Sequence, residues 1–327
     1  MRPLHTRLLT AAAQAPSGHN TQPWRFVVEG KRVTILPDLS RRLPAVDPDD
    51  HALFISLGCA LENLVVAARE EGYSAEVDDT GLDGQDPALT VYLRPGEAAD
   101  GHGNGLFKAI PERQTTRRSY DGRAIPSADL RRLEGASHQE GVGFHLFTDP
   151  GRIEPLIELV EEGNRRQFAD PAFVEELITW IRFNRREVDA TGDGLTHAAM
   201  GLPSVPRWLG RFVMTTLVTP RSQARSAARA IRSSAAMILF TTDRADPRGW
   251  LDLGRSFERV ALTATTLDIK QAHMNMPCEV PALREELRAH LGLEGAEPLL
   301  LLRIGYAKPM ARSPRRPLPE SLVPDAP

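Results

Sequence analysis

The 327-residue chain predicts an α+β protein assembled from two related halves, and three observations carry that prediction. A short amphipathic helix at the N-terminus runs through a polar loop into a β-hairpin. The pattern Leu-Gly-x-x-x-Glu occurs twice, at Leu57-Gly58 with Glu62 and at Leu253-Gly254 with Glu258, each time opening an apolar helix. Downstream of each, a strand ends in Leu-Arg-x-Gly, at Leu93-Arg94-Pro95-Gly96 and at Leu302-Arg303-Ile304-Gly305. Two matches in the same order point to a long repeat, and its length fits two fused copies of a domain rather than a solenoid.

Leu4, Leu8, Leu9 and Ala12 share one face of a helix over residues 4–14, which Pro16 ends because it cannot continue the hydrogen-bond ladder. Ser17, Gly18 and Asn20 allow a sharp turn and offer hydroxyl, amide and N–H groups. Trp24-Arg25-Phe26-Val27-Val28 reads as a strand, turned by Gly30-Lys31 into Val33-Thr34-Ile35-Leu36. On composition alone the loop fits an ordinary helix-to-strand connection as well as it fits a ligand site. Asp47-Pro48-Asp49-Asp50 places a cap and first-turn negative charge before the first Leu-Gly helix. Gly101-His102-Gly103-Asn104-Gly105 reads as a flexible linker between the halves.

In the second half, Arg113, Thr115, Arg117 and Arg118 set three guanidinium groups and a hydroxyl within six residues. Forked, charged donors of this kind suit a phosphate monoester; a solvated basic linker has the same composition. Residues 164–219 interrupt the repeat. Within them residues 168–184 read as one amphipathic helix, and Trp180, Phe183, Trp208, Phe212 and Met214 as apolar anchors. The insertion is either a lid that shapes a pocket or a helical subdomain that only covers apolar surface. His273-Met274-Asn275-Met276-Pro277-Cys278-Glu279-Val280 follows the second Leu-Gly helix. A strand over residues 299–304 then delivers Arg312-Ser313-Pro314-Arg315-Arg316-Pro317-Leu318, a binding segment or a frayed basic tail.

With 41% hydrophobic and 25% charged residues and a net charge of −3, the composition argues against nucleic acid as the main partner. No apolar run is read as a membrane span, and the N-terminus lacks an apolar signal region. Cys59 and Cys278 form neither a disulfide framework nor a metal cluster, and the 9 histidines show no metal-ligand spacing. The expectation is a cytoplasmic protein with a small-molecule substrate, and without nucleic acid, membrane or metal.

Pro-Ser-x-x-Asn-x-Gln-Pro-Trp, at residues 16–24, resembles the flavin-contacting loop of the FMN-dependent nitroreductase family. The arginine run followed by Arg123-Ala124-Ile125-Pro126 resembles the family's N-terminal motif, and residues 312–318 resemble the basic segment with which the family closes over the phosphate. The resemblance covers residues 4–96 and 112–323 and is to the fused, Acg-like branch. It implies a nitroreductase-like fold in which residues 1–105 and 106–327 are fused repeats. Together they would reproduce, inside one chain and as a monomer, the dimer that the family makes from two subunits. Each repeat would be an antiparallel-rich sheet with one parallel strand, and a helical lid would cover residues 164–219.

The same resemblance implies one FMN, held by Pro16, Ser17, Asn20 and Gln22 from one repeat and by Arg113, Thr115, Arg117, Arg118, Arg315 and Arg316 from the other. Met276, Pro277, Cys278 and Glu279 would line the flavin ring and supply a backbone N–H to its N5. One site survives because the first repeat keeps the loop and the second, with Gly135-Ala136-Ser137-His138-Gln139 in that place, keeps the arginine run. The implied activity is NAD(P)H-dependent hydride transfer through FMN to a nitroaromatic, a quinone or another acceptor. No catalytic side chain is required, and Arg117 or Arg118 would stabilise charge at the N1–C2 edge. A protein that sequesters FMN without turnover is the alternative, and a dehydrogenase acting on a natural product is a third reading. A nucleophilic role for Cys278 finds no general base in the sequence.

Overall fold

Strand cover decides the architecture. In a computed structural model describing residues 3–84, 86–96 and 105–323, α1 (Pro3–Ala13) leads into the hairpin β1 (Trp24–Glu29) and β2 (Arg32–Pro37). Then come α2 (His51–Glu70), β3 (Tyr73–Asp78) and β4 (Leu89–Pro95). After α3 (Leu106–Ala109) the order recurs with α4 (Ser127–Ala136) and β5 (Val142–Phe147). A long insertion follows: α5 (Pro150–Ala169), α6 (Pro171–Trp180), β6 (Ile181–Arg182), α7 (Arg185–Thr191), β7 (Leu195–Thr196), α8 (Arg207–Thr216) and α9 (Pro220–Arg232). The chain then resumes with β8 (Ala236–Thr242), α10 (Pro247–Thr266), β9 (Lys270–His273), α11 (Met276–Glu279), α12 (Pro281–Leu291) and β10 (Glu297–Gly305). The linker at residues 101–104 lies outside the described residues.

Two four-stranded sheets result, ordered β1-β2-β4-β3 and β5-β8-β10-β9, the same order once each strand is matched to its counterpart. Every neighbouring pair in both is antiparallel. The expected parallel strand shrinks to single bridges, Leu322 beside Phe26 of β1 and Thr115 beside Gln271 of β9. Proline explains the shortness at the C-terminus. Pro317 and Pro319 have no N–H to give, and a 3-10 turn occupies Leu318–Ser321, so among the described residues pairing begins at Leu322, with Val323 N–H donating to Phe26 O at 2.9 Å. The C-terminal segment of the second half is thereby fastened to the first sheet.

The Leu-Gly patterns mark a helix crossing, not helix openings: α2 begins at His51 and α10 at Pro247. A Cβ on Gly58 would overlap the carbonyl oxygen of Leu251, and one on Gly254 would overlap that of Ile55, so glycine is required for so close an approach. Glu62 accepts from Arg259 Nε at 2.7 Å and Arg255 Nε at 3.4 Å across this crossing. Glu258 has no such partners, because Cys59 and Asn63 stand where α10 carries Arg255 and Arg259; it faces Arg113 instead, at 3.3 Å. Asp47 caps α2, accepting from the N–H groups of Ala52 and Leu53, both at 3.0 Å. By length and composition α2 is apolar enough to cross a membrane, with mean hydropathy 1.6, against the sequence expectation; 94% of that window is buried inside the protein.

The second sheet is covered on both faces, so β8 reads as an apolar run without alternation. Ile238 and Phe240 join the core around α2 and α10, whereas Met237 and Leu239 join a second core with α5, α9 and α12. The insertion corrects two expectations. Residues 168–184 are not one helix: the Asp170 carboxylate caps Ala172 N–H at 2.8 Å, and Pro171 starts α6. Phe183 and Met214 do pack with Phe173, Leu177 and Ile178, but Trp208 and Phe212 lie on the surface, 71% and 53% exposed.

Candidate functional site

A cavity of about 660 Å³ opens between the two halves. The loop after α1, the first half of α2, residues 111–117, the start of α11, β10 and residues 311–315 line it, and α5, α6, β7 and α9 of the insertion close over it.

The loop is built by unusual backbone. His19, Asn20 and Gln22 all have positive φ, at 48°, 56° and 54°, strain that persists only where surrounding contacts hold it. Ser17 Oγ accepts from Gln22 N–H at 2.9 Å. Asn20 Nδ2 donates to Gly194 O and Pro314 O, both at 3.2 Å, and its Oδ1 accepts from Arg315 at 3.1 Å. Gln22 Nε2 donates to Gly192 O at 3.0 Å, and its Oε1 accepts from Arg316 N–H at 2.9 Å. One loop from the first half is thus tied to the insertion and to the C-terminal segment.

Of the residues expected at the site, Pro16, Ser17, Asn20, Arg113, Thr115, Arg117, Met276, Glu279 and Arg315 line the cavity; Gln22, Arg118, Pro277, Cys278 and Arg316 do not. Gln22 and Arg316 hold each other and the loop, with Arg316 donating to Gln22 O at 2.8 Å. Arg118 is exposed. Cys278 is wholly buried, and burial pushes its thiol well up, away from nucleophilic use. The N–H groups of Cys278 and Glu279 both donate to Asn275 O, at 2.7 and 2.9 Å. The N–H of Met276, at the start of α11, has no acceptor among the described residues.

Two arginines, Arg113 buried and Arg315 half-buried, meet beside one carboxylate. Arg315 donates to Gln14 O and Ala15 O, both at 2.9 Å, closing the end of α1. Burial and then the neighbouring Arg113 charge lower it to about 9, so it stays charged at neutral pH. Arg113 reaches Gln14 O at 3.3 Å. Nε of each arginine and both oxygens of Glu258 lack hydrogen-bond partners among the described residues. Burial raises Glu258 to about 7 against the pull of Arg113, which leaves the cluster with surplus positive charge that an anion would balance. Arg117 lines the cavity with no ion-pair partner among the described residues.

Three cavity residues were given no role from the sequence. His19 and His273 line the cavity, and His19 Nε2 and His273 Nδ1 find no partner among the described residues. Burial, with Arg117 nearby, lowers them to about 4 and about 3, so both are neutral at pH 7. His19 sits inside the motif, and its place there was the available signal. Arg303, from the repeated Leu-Arg-x-Gly, is fully buried, stacks 3.9 Å from the Tyr120 ring centroid and donates to Thr116 O, Arg117 O and Arg118 O at 3.2, 3.0 and 2.9 Å. An arginine inside an apolar strand was the signal for it. It fixes the loop that carries Arg117.

The raised Glu258 sets a pH dependence. The folded state binds its proton more tightly than the unfolded chain does, so this contribution to stability is full below about 4.5 and is lost as pH rises through about 7. Glu258→Gln should therefore gain stability relative to the parent between pH 5 and pH 8 in the ligand-free protein. Thermal midpoints of both across that range check it, and parallel curves would refute it.

No family model matches the chain. It is 28% identical over 317 residues to "Putative NAD(P)H nitroreductase Rv3131" of Mycobacterium tuberculosis, covering 95% of this chain and 88% of that protein. It is 26% identical over 320 residues to "Putative NAD(P)H nitroreductase acg" of the same organism, covering 94% and 92%. Among solved structures, the FMN-dependent nitroreductase NfnB from Mycobacterium smegmatis in complex with NADPH aligns at 15% identity over 66% of this chain and 96% of that one, with TM-score 0.44. Relatives named as nitroreductases along nearly the full length bear out the resemblance first seen at residues 16–24.

Proposed function

We propose that this chain of the nitroreductase family is an NAD(P)H-dependent oxidoreductase that holds one FMN in the cavity between its halves. The observation that carries the reading is the pair of guanidinium groups on the cavity wall, Arg113 and Arg315, which outnumber the one carboxylate beside them, Glu258. That donor set fits a phosphate monoester. The rest of the lining fits a flavin ring: the unspent N–H of Met276, the neutral His19 and His273, and Arg117 as an uncommitted cation. The volume lies in the range of cofactor pockets, roughly 300–1,000 Å³. When bound, FMN supplies hydride acceptance from a nicotinamide and hydride delivery to an acceptor such as a nitroaromatic or quinone. The protein's share would be to hold the phosphate through Arg113 and Arg315, to line the ring with Ser17, Asn20 and Met276, and to exclude water with the insertion.

The chain reads as two fused repeats, residues 1–105 and 106–327, forming a pseudo-dimer within one molecule. Identical sheet order and the glycine crossing of α2 on α10 support this. Because only one copy keeps each share of the ligands, the expected stoichiometry is one FMN per chain. Reconstitution with FMN followed by stopped-flow reduction with NADH or NADPH tests the reading. Absence of FMN binding overturns it, and two FMN per chain overturns the single site. Bound FMN that neither nicotinamide reduces leaves a flavin-sequestering protein instead.

A further inference from the structure

The cavity has two electrostatic ends. Arg113, Arg117 and Arg315 lie together: the charge of Arg113 bears on Arg315 and His273, and that of Arg117 on His19 and His273. Glu279 and Asp47 also line the cavity, and the charges that bear on Glu279 are those of His51, Asp47 and Arg284. Arg284 does not neutralise it, since its guanidinium donates to Cys278 O at 2.6 Å and to Asp49 at 3.1 Å. Gln167 of α5 donates to one Glu279 oxygen at 2.6 Å. The other has no donor among the described residues. Gly163 of α5 lets the insertion approach α11 closely, since a Cβ there would lie 2.6 Å from Met276 Cβ. Phe168 and Phe173, packed edge to face with centroids 5.5 Å apart, and Leu177 complete this part of the lining.

We propose that this end, made by the insertion, α11 and Asp47, is the acceptor subsite, and that Glu279 selects aromatic acceptors bearing a cationic group over anionic ones. The inference rests on the flavin reading above, with the phosphate at the arginine end. A carboxylate in a lining that also holds two aromatic rings attracts an ammonium by charge, and the ring quadrupole adds to this where the cation meets a ring face. It repels a carboxylate. Burial raises Glu279 to about 7, so its charge, and with it the discrimination, increases from pH 6 to pH 8.

The experiment is calorimetric titration of the oxidised, FMN-loaded protein with (4-nitrobenzyl)trimethylammonium and with 4-nitrobenzoate, whose charges are fixed over that range. The cation should bind about tenfold tighter or more at pH 8, as expected of a charge-assisted contact, and the ratio should fall at pH 6. Glu279→Gln should reduce the ratio to about twofold or less and remove its pH dependence. The pH arm needs no variant and so survives a substitution that fails to fold. A protein that binds FMN but discriminates no better than Glu279→Gln, or equally at both pH values, overturns the subsite and leaves the flavin reading standing. A protein that takes up no FMN overturns the flavin reading, and this inference falls with it.

Discussion

Gly254→Val should destabilise the protein by about 3 kcal/mol or more, lowering the thermal midpoint by roughly 4 °C or more. The two long helices meet where Gly254 faces Ile55 and Gly58 faces Leu251, and an added Cβ would strike backbone, which cannot swing away as a side chain can. Both helices are largely buried, so moving them apart opens gaps in the core they share with both sheets. Gly58→Val should cost as much by the same contact seen from the other helix. Gly135→Ala, in α4 with nothing within 4 Å of its added Cβ, should instead gain about 0.5–1 kcal/mol from helix propensity. Denaturant unfolding of the three variants decides the matter. If Gly254→Val were as stable as the parent, the helices could not cross as closely as the structure has them.

That crossing was half legible. Leu-Gly-x-x-x-Glu marked two equivalent helices, but sequence spacing alone put the pattern at their openings, because nothing local says that a glycine is there for another helix's carbonyl. Local signals served well where the structure is local: the helix before Pro16, the hairpin about Gly30, and the capping carboxylate of Asp47. The Asp170-Pro171 break was also written in the chain, as a cap followed by an N1 proline, and apolar periodicity on either side outweighed it. Trp208 and Phe212 show the limit of inferring burial from residue type, since large apolar side chains also occupy surfaces.

The site was legible as a set of residues and not as a set of roles. Gln22 and Arg316 look like ligands, yet they satisfy each other and the loop backbone. Arg117 and Arg118 are chemically identical, exposed neighbours of which only Arg117 lines the cavity, and Arg303, more than 180 residues away, holds the carbonyls of both. Arg315 finds its acceptors at Gln14 and Ala15, a pairing no spacing rule reaches.

Those roles yield the sharpest test of the binding site. Arg113→Ala should weaken FMN binding about 10- to 150-fold, the loss of a charge-assisted contact of about 1.5–3 kcal/mol. It also takes the cation from beside buried Glu258 and a donor from Gln14 O, so the ligand-free protein should lose some stability, but riboflavin, which lacks the phosphate, should weaken far less than FMN. Arg315→Ala should weaken FMN too, but it also strips donors from the buried carbonyls of Gln14 and Ala15 and from Asn20. The ligand-free protein should therefore lose stability by about 1–3 kcal/mol, and riboflavin binding should weaken as the loop loosens. Arg117→Ala, lacking such ties, should spare stability and act on flavin reduction rate and potential, while Arg118→Ala should change neither. Titrations of each ligand-free variant with FMN and riboflavin, beside its thermal midpoint, separate the four. Equal weakening of both flavins by Arg113→Ala would move the phosphate away from the Arg113–Arg315 pair, since a phosphate contact cannot be lost by a ligand that has none.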